Sequence, residues 1–248
     1  MRRRFERAWY QHALAAICLL LVTAPFVAAS SASAASAPAA LLKTALRDAI
    51  ARGWVHEVGV STQGGASSKY IDDIGTGEGR QEIALSNGVH AQVIAFDQKK
   101  IMYIRANALG ISTFFGISKT QPGQYANKWL IVRPDNTNYT TVAADTTLKS
   151  DFESQLTSYG KVSEGGLVTL EGERVRPLTW TIPKSKSYPA TSATLYVTAS
   201  GATLPIELSE TSKGGDFVVR WSKWGEAVTL VAPQGAQPMP ISPTGQPA

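Results

Sequence analysis

The sequence has 248 residues, 44% of them hydrophobic and 17% charged, with a formal net charge of +5. That length can bury a full core without covalent staples, and the charged share lies below the usual quarter or so. Four arginines and one glutamate at the start of the chain supply most of the positive excess. The remainder is near +2 and carries no basic stripe of the kind that tracks a polyanion, which excludes nucleic acid as a partner.

Arg2, Arg3, Arg4 and Arg7 stand against the single acid Glu6. An apolar run follows from Ala13 to Ala29, and then small residues with Ala32-Ser33-Ala34 as the best A-x-A site. Basic, apolar and small segments in that order are the pattern of a secretory signal peptide, assigned here to residues 1–34. The run is slightly short for a membrane span of roughly 20 residues. Arg2-Arg3-Arg4-Phe5 also approximates a twin-arginine motif, with Glu6 where an apolar residue is usual, so both export routes stay open. The one cysteine, Cys18, lies inside the apolar run behind Ile17, not at its end behind small residues as lipidation requires. The mature chain then has no thiol, which excludes disulfides, thiolate catalysis and cysteine-zinc sites.

Residues 35–40 read as a small-residue linker. Leu41, Leu42, Ala45, Leu46, Ala49 and Ile50 recur at three- and four-residue spacing, an amphipathic helix stopped by Gly53. From Trp54 the period changes to two, with Val58 and Val60 in phase with Trp54 and His56. Strands are expected at 70–78, 81–85, 90–96 and 101–105, joined by turns at Asn87-Gly88 and over 97–100. Gly64, Gly65, Gly75, Gly77 and Gly79 suit a bent or bulged sheet. Residues 108–118 predict a short helix carrying Phe114 and Phe115, and 129–133 a strand. Leu148, Phe152 and Leu156 at spacing four predict a helix over 147–159, capped by Asp145 or Thr146. Further strands are expected at 161–170, 175–182, 193–198, 204–210, 217–221 and 227–231. Residues 233–248 hold five prolines and no charge, which predicts a disordered tail. The expected organisation is one domain over 35–232: α+β, mainly antiparallel β, with a few helices on one face.

Reactive chemistry is sparse. His56 and His90 lie in expected strands without a Gly-x-Ser-x-Gly elbow or a close His pair. Asp72 and Asp73 are adjacent on a strand, point to opposite faces, and read as a solvated pair at a turn edge. Gly75-x-Gly77-x-Gly79 lacks the following helix of a phosphate loop. Asn138-Tyr139-Thr140 forms a glycosylation sequon that chance also supplies. No catalytic residue, metal site or cofactor is assigned, and the chain is not read as an enzyme. What remains is apolar material on short helices. Either it completes the sheet's core, or sheet and helices leave an apolar cleft that binds acyl chains by burial, at about 0.8 kcal/mol per methylene.

Several segments carry a resemblance in order: 101–107 (IMYIRAN), 115–117 (FGI), 125–130 (YANKWL), 147–150 (TLKS), 170–172 (LEG), 195–197 (LYV), 204–205 (LP) and 221–228 (WSKWGEAV). Together they resemble the LolA-like lipoprotein-carrier superfamily, nearest the actinobacterial envelope proteins related to LppX and LprG. The resemblance implies an open β half-barrel wrapped around helices, with an apolar cavity for lipid or acyl chains; this chain departs from many relatives in lacking a lipobox. On that basis the pocket is expected at Val58, Val60, Val93, Ile104, Phe114, Phe115, Leu148, Phe152 and Leu156. The expected protein is an exported monomer of the cell envelope that binds lipid or acylated ligands. Three rivals are weighed: an interaction or sensor module with a filled core and an envelope protein partner, a hydrolase with an unrecognised site, and an outer-membrane barrel, disfavoured by the Pro-rich end and the helical inserts.

Overall fold

The structure is a computed structural model that describes residues 37–114, 122–136, 139, 146–156, 160–184 and 189–239. The signal segment lies outside the described residues.

Among the described residues thirteen strands form one sheet in the order β13-β6-β5-β4-β3-β2-β1-β12-β11-β10-β9-β7, with β8 also on β9. The order has two ends and does not close, so the sheet is an open half-barrel. Two meanders build it. The first runs through β1 (Trp54–Gln63), β2 (Ala66–Gly75), β3 (Glu78–Leu85), β4 (His90–Phe96), β5 (Ile101–Ala106) and β6 (Leu130–Val132). The second runs through β9 (Glu173–Ile182), β10 (Thr191–Thr198), β11 (Pro205–Ser212) and β12 (Gly215–Ser222). They join where β1 pairs antiparallel with β12, from His56 opposite Ser222 to Gln63 opposite Gly215. Among the described residues no helix is long and apolar enough to cross a membrane.

Among the described residues the sheet is accompanied by the α-helices α1 (Ala37–Ala51), α2 (Ala108–Phe114), α3 (Pro122–Tyr125) and α4 (Leu148–Leu156). The expected linker at 35–40 is corrected, because α1 takes in Ala37 to Ala40 as its first turn; alanines favour that extension. α1 buries Leu42, Ala45 and Ala49, and α4 buries Leu148 and Phe152, all in one cluster with Val55, Ile74, Leu178, Leu195, Leu208, Val219 and Trp221. A second cluster joins Ala91, Val93, Ala95, Met102, Ile104, Ala106, Leu130 and Val132 to Ile111 of α2. Asn107 caps α2, its Oδ1 accepting from the Gly110 N–H at 2.8 Å. Gly110 lets α2 lie close to the sheet, since a Cβ there would stand 2.7 Å from the His90 carbonyl and 2.9 Å from the Ala106 Cβ.

Two expected strands and the expected tail resolve differently. Residues 161–170 form two short pieces, β7 (Ser163–Glu164) and β8 (Val168–Leu170), both paired with β9. The chain breaks pairing at Gly165, whose N–H donates to the Pro177 carbonyl at 2.9 Å, opposite a residue with no N–H of its own. Residues 227–231 form no strand. Both edges of the adjoining β12 are taken, by β1 and β11, which leaves this segment no partner. The tail expected to be disordered from 233 instead lays β13 (Gln237–Pro238) parallel to β6, and Met239 is buried in the second cluster. Residues 240–248 lie outside the described residues.

Candidate functional site

Directly opposed residues of antiparallel strands point to the same face. Following the pairings, Trp221, Glu57, Asp72, Gln81, Val93, Ile104 and Leu130 stand in one line from β12 to β6. All are buried, and the line lies on the face that the helices cover. Its ends are apolar and its middle is acidic. Glu57 is 1% exposed, Asp72 2% and Gln81 7%.

The neighbouring line passes through Val219, Gly59, Tyr70, Ile83 and Ala91. Gly59 has no side chain, and the Tyr70 ring occupies that space, so that any Cβ at 59 would overlap the ring. The Tyr70 ring also stacks with Phe217 at 6.2 Å. Its hydroxyl is pushed well above its ordinary value by burial, with the charges of Glu57, Asp72 and Asp151 and a hydrogen bond to Glu57 adding to the rise. Three carboxylates thus act in the same direction on the Tyr70 hydroxyl. Asp151 comes from α4, where Leu148, Asp151 and Phe152 share one helical face.

Hydrogen bonds tie the group together. The Trp221 indole donates to Glu57 Oε2 at 2.6 Å, and the Gln81 amide donates to Asp72 Oδ2 at 3.1 Å. Phe152 sits between two indoles, 5.3 Å from the Trp221 ring and 5.7 Å from the Trp224 ring. Gln81 Oε1 and Trp224 Nε1 are buried with no hydrogen-bond partner among the described residues. The result is a polar seam on the inner face, between the two apolar clusters.

The expected pocket residues are therefore divided. Val93 and Ile104 lie in the second cluster, with Phe114 half-buried against it. Leu148 and Phe152 lie in the first. Val58 and Val60 are on the opposite face of β1, Val60 being 42% exposed, and the assumed phase of that strand is corrected. Its inner positions are Val55, Glu57 and Gly59, a charged residue and a glycine that hydropathy ranks below the two valines. Phe115 and the Leu156 side chain lie outside the described residues, as do Asn138 and Thr140 of the sequon.

The reading of Asp72 and Asp73 as a solvated pair is corrected as well. They do point to opposite faces, but both are buried. On the outer face Asp73 accepts from Arg80 Nε at 2.6 Å, and its other oxygen stands 2.8 Å from His56 Nδ1. Burial raises the Asp73 carboxyl, and the His56 and Arg80 hydrogen bonds and charges outweigh it, holding the group below its ordinary value. Among the described residues no three His, Asp or Glu side chains converge as metal ligands do.

Sequence reasoning missed Glu57, Tyr70, Gln81 and Asp151. A signal for the seam was present: Val55-x-Glu57-x-Gly59 and Asp72-x-Ile74 place acids in the same phase as core residues.

The chain is similar in structure to the mycobacterial proteins LprF and LppX. LprF from Mycobacterium bovis aligns with a TM-score of 0.49 and 14% identity over 79% of this chain and 96% of that one. The lipoprotein LppX of Mycobacterium tuberculosis aligns with a TM-score of 0.45 and 15% identity over 77% and 97%. MucB aligns with a TM-score of 0.42 and 15% identity over 84% of this chain and 69% of that one. No family model and no curated protein matches the sequence.

Proposed function

We propose that this chain is an exported, non-enzymatic binder of lipids or acylated molecules, acting in the cell envelope as a single domain with its ligand against the inner face of the half-barrel. The observation that carries this reading is the continuous apolar surface of that face over β4–β6. Over β1 and β9–β12 the inner side chains lie under the long helix α1 and under α4. Over β4–β6, Val93, Met102, Ile104, Leu130 and Val132 form an unbroken apolar surface whose described cover is the seven-residue α2, Tyr139, Tyr125 and Met239. A helix that short has little stability of its own. A hydrocarbon chain that displaced α2 or the tail would bury against this surface at about 0.8 kcal/mol per methylene. No reactive residue is needed for such binding.

A second reading, an interaction or sensor module with a filled core, is supported by the burial of Val93, Ile104, Leu148 and Phe152 to 1% exposure or less. The two are separated by native mass spectrometry of protein purified without detergent, together with titration of cis-parinaric acid. Binding of the fatty acid, reduced at least about tenfold in Phe114→Asp with the β spectrum retained, is the expected result. Phe114 is chosen because it is half-buried at the end of α2 rather than deep in either cluster. Protein that carries no lipid and takes up no cis-parinaric acid would overturn the carrier in favour of the interaction module.

A further inference from the structure

The chain from Trp224 to Met239 has two fixed ends and a loosely held middle. At the first end the Trp224 ring lies 5.7 Å from the Phe152 ring and packs on the first apolar cluster. There the Gly225 N–H donates to the Trp54 carbonyl at 2.9 Å. At the second end the Gln237 and Met239 N–H groups donate to the Trp129 and Ile131 carbonyls, each at 2.9 Å, and the Met239 side chain is buried in the second cluster. Residues 226–236 thus bridge the two clusters, from β1 to the edge of β6. Among the described residues no hydrogen bond ties 227–236 to another part of the chain, and Val231 is 72% exposed.

The other cover over β4–β6 is seated more firmly. Asn107 caps α2, Gly110 sets it close against the sheet, and Ile111 is fully buried. The tail's own hold on β6 is two backbone hydrogen bonds and one side chain, whose sulfur accepts from Asn136 Nδ2 at 3.4 Å, and sulfur is a weak acceptor. That side chain is unbranched and flexible, and methionine fills irregular apolar gaps for that reason. Its shape is close to the end of an acyl chain. Met239 shares its cluster with Met102, Ile104, Leu130 and Val132, the surface on which a hydrocarbon is proposed to lie.

We propose that β13 and Met239 form a displaceable plug. The Met239 side chain holds the place of the ligand's hydrocarbon on β4–β6, and binding releases the tail from β6 while the Trp224 anchor keeps it attached to the domain. This inference rests on the proposed apolar binding and supplies the regulation of that site. β13 is two residues long, so its release opens one short stretch of pairing and leaves the rest of the sheet in place. A cover that must leave before a ligand enters lowers the apparent affinity by the fraction of molecules that are open. Affinity then follows how firmly the tail is latched.

Locking the latch tests this. Pro238 and Ile131 are directly paired, and Ile131 lies between the buried Leu130 and Val132, so its side chain faces the outer side of the sheet, away from the plug. Pro238→Cys combined with Ile131→Cys sets two thiols on adjacent strands, within the span of a disulfide. The one native cysteine, Cys18, lies in the segment assigned to the signal peptide. With cis-parinaric acid as the probe, the oxidised variant is expected to bind at least about tenfold more weakly than the same protein after reduction, and the reduced form to match the unaltered protein. Equal binding by the oxidised and reduced forms would overturn the plug, while binding by the unaltered protein leaves the apolar site intact. If the unaltered protein binds no cis-parinaric acid, the underlying reading falls and this one with it. Hydrogen exchange on the unaltered protein decides the matter even where the cysteine variant does not fold. Saturating cis-parinaric acid should speed exchange at the Gln237 and Met239 amides at least about tenfold, and unchanged or slower exchange there would also overturn the plug.

Discussion

Asp72 and Asp73 are consecutive residues of β2 whose side chains leave the sheet on opposite faces, and both are buried. On the outer face Asp73 is met by the guanidinium of Arg80 and the imidazole of His56, each from an adjacent strand. On the inner face Asp72 lies opposite Glu57 and receives the Gln81 amide. The outer arrangement brings cationic partners to the carboxylate and stabilises the fold. The inner one gathers acceptors around Tyr70. Two faces of one strand thus hold buried acids in different described surroundings, an arginine and a histidine outside and a second acid and an amide inside.

The comparison can be broken most strongly at Gly59. Alanine there would collide with the Tyr70 ring and push it out of its place in the inner seam. Overpacking of this kind costs typically 1–3 kcal/mol, and the upper end, about 3 kcal/mol, is expected in denaturant unfolding. A loss below about 0.5 kcal/mol would mean that the ring is not held where it lies. On the outer face, Arg80→Ala should cost about 1–2 kcal/mol at pH 7, since Asp73 is buried but Arg80 itself is half in solvent.

The same substitution has a pH signature. The folded Asp73 carboxyl lies below its unfolded value, so its stabilisation is fully present above about pH 4 and is lost as pH falls through the lower folded value. Removing Arg80 raises the folded value toward the ordinary one. The acid-side loss still begins near pH 4 but is smaller and is complete at a higher pH, as a stability profile from pH 7 to pH 2 would record.

The smallest effect is expected at Glu210, on the inner face in line with Trp180, Ala193 and Phe217. Burial raises its carboxyl above the ordinary value. Such a group lowers stability once pH rises through its unfolded value, near 4.3, and most fully above the folded one. Glu210→Gln should therefore gain up to about 1 kcal/mol at pH 7 and nothing at pH 3.5. A loss at pH 7 would show that the inner face uses this charge after all, and would align Glu210 with the seam rather than with the core.

How much of this was legible in the sequence follows from what each signal encodes. β4 was expected at 90–96 and is His90–Phe96, because Ala91, Val93 and Ala95 recur at every second position of a short apolar-rich run between two clear turns. The open mainly β fold with helices on one face was legible for the same reason. β1 was expected as a strand with the wrong face inward, since alternation gives a period and the choice of phase rested on Val58 and Val60. Gly59 and Glu57 hold the inner positions through Tyr70 and Trp221, which are 11 and 164 residues away in sequence and invisible to a local window. The strand expected at 227–231 failed through topology, because pairing needs a free edge. Met239 and β13 were read as disorder from their prolines, although a two-residue strand needs only the N–H groups that flank Pro238.

Those flanking groups have a consequence for the rim of the half-barrel. The N–H groups of Gln237 and Met239 donate to the Trp129 and Ile131 carbonyls of the neighbouring chain segment. Pro238, between them, turns toward open solvent a ring nitrogen that has nothing to donate. An open sheet is a template on which foreign strands can grow, and here its last position is filled by a residue that cannot extend the ladder. The tail thus acts as a stopper, letting a sheet stay unclosed for the sake of its interior without inviting copies of itself to stack along the margin.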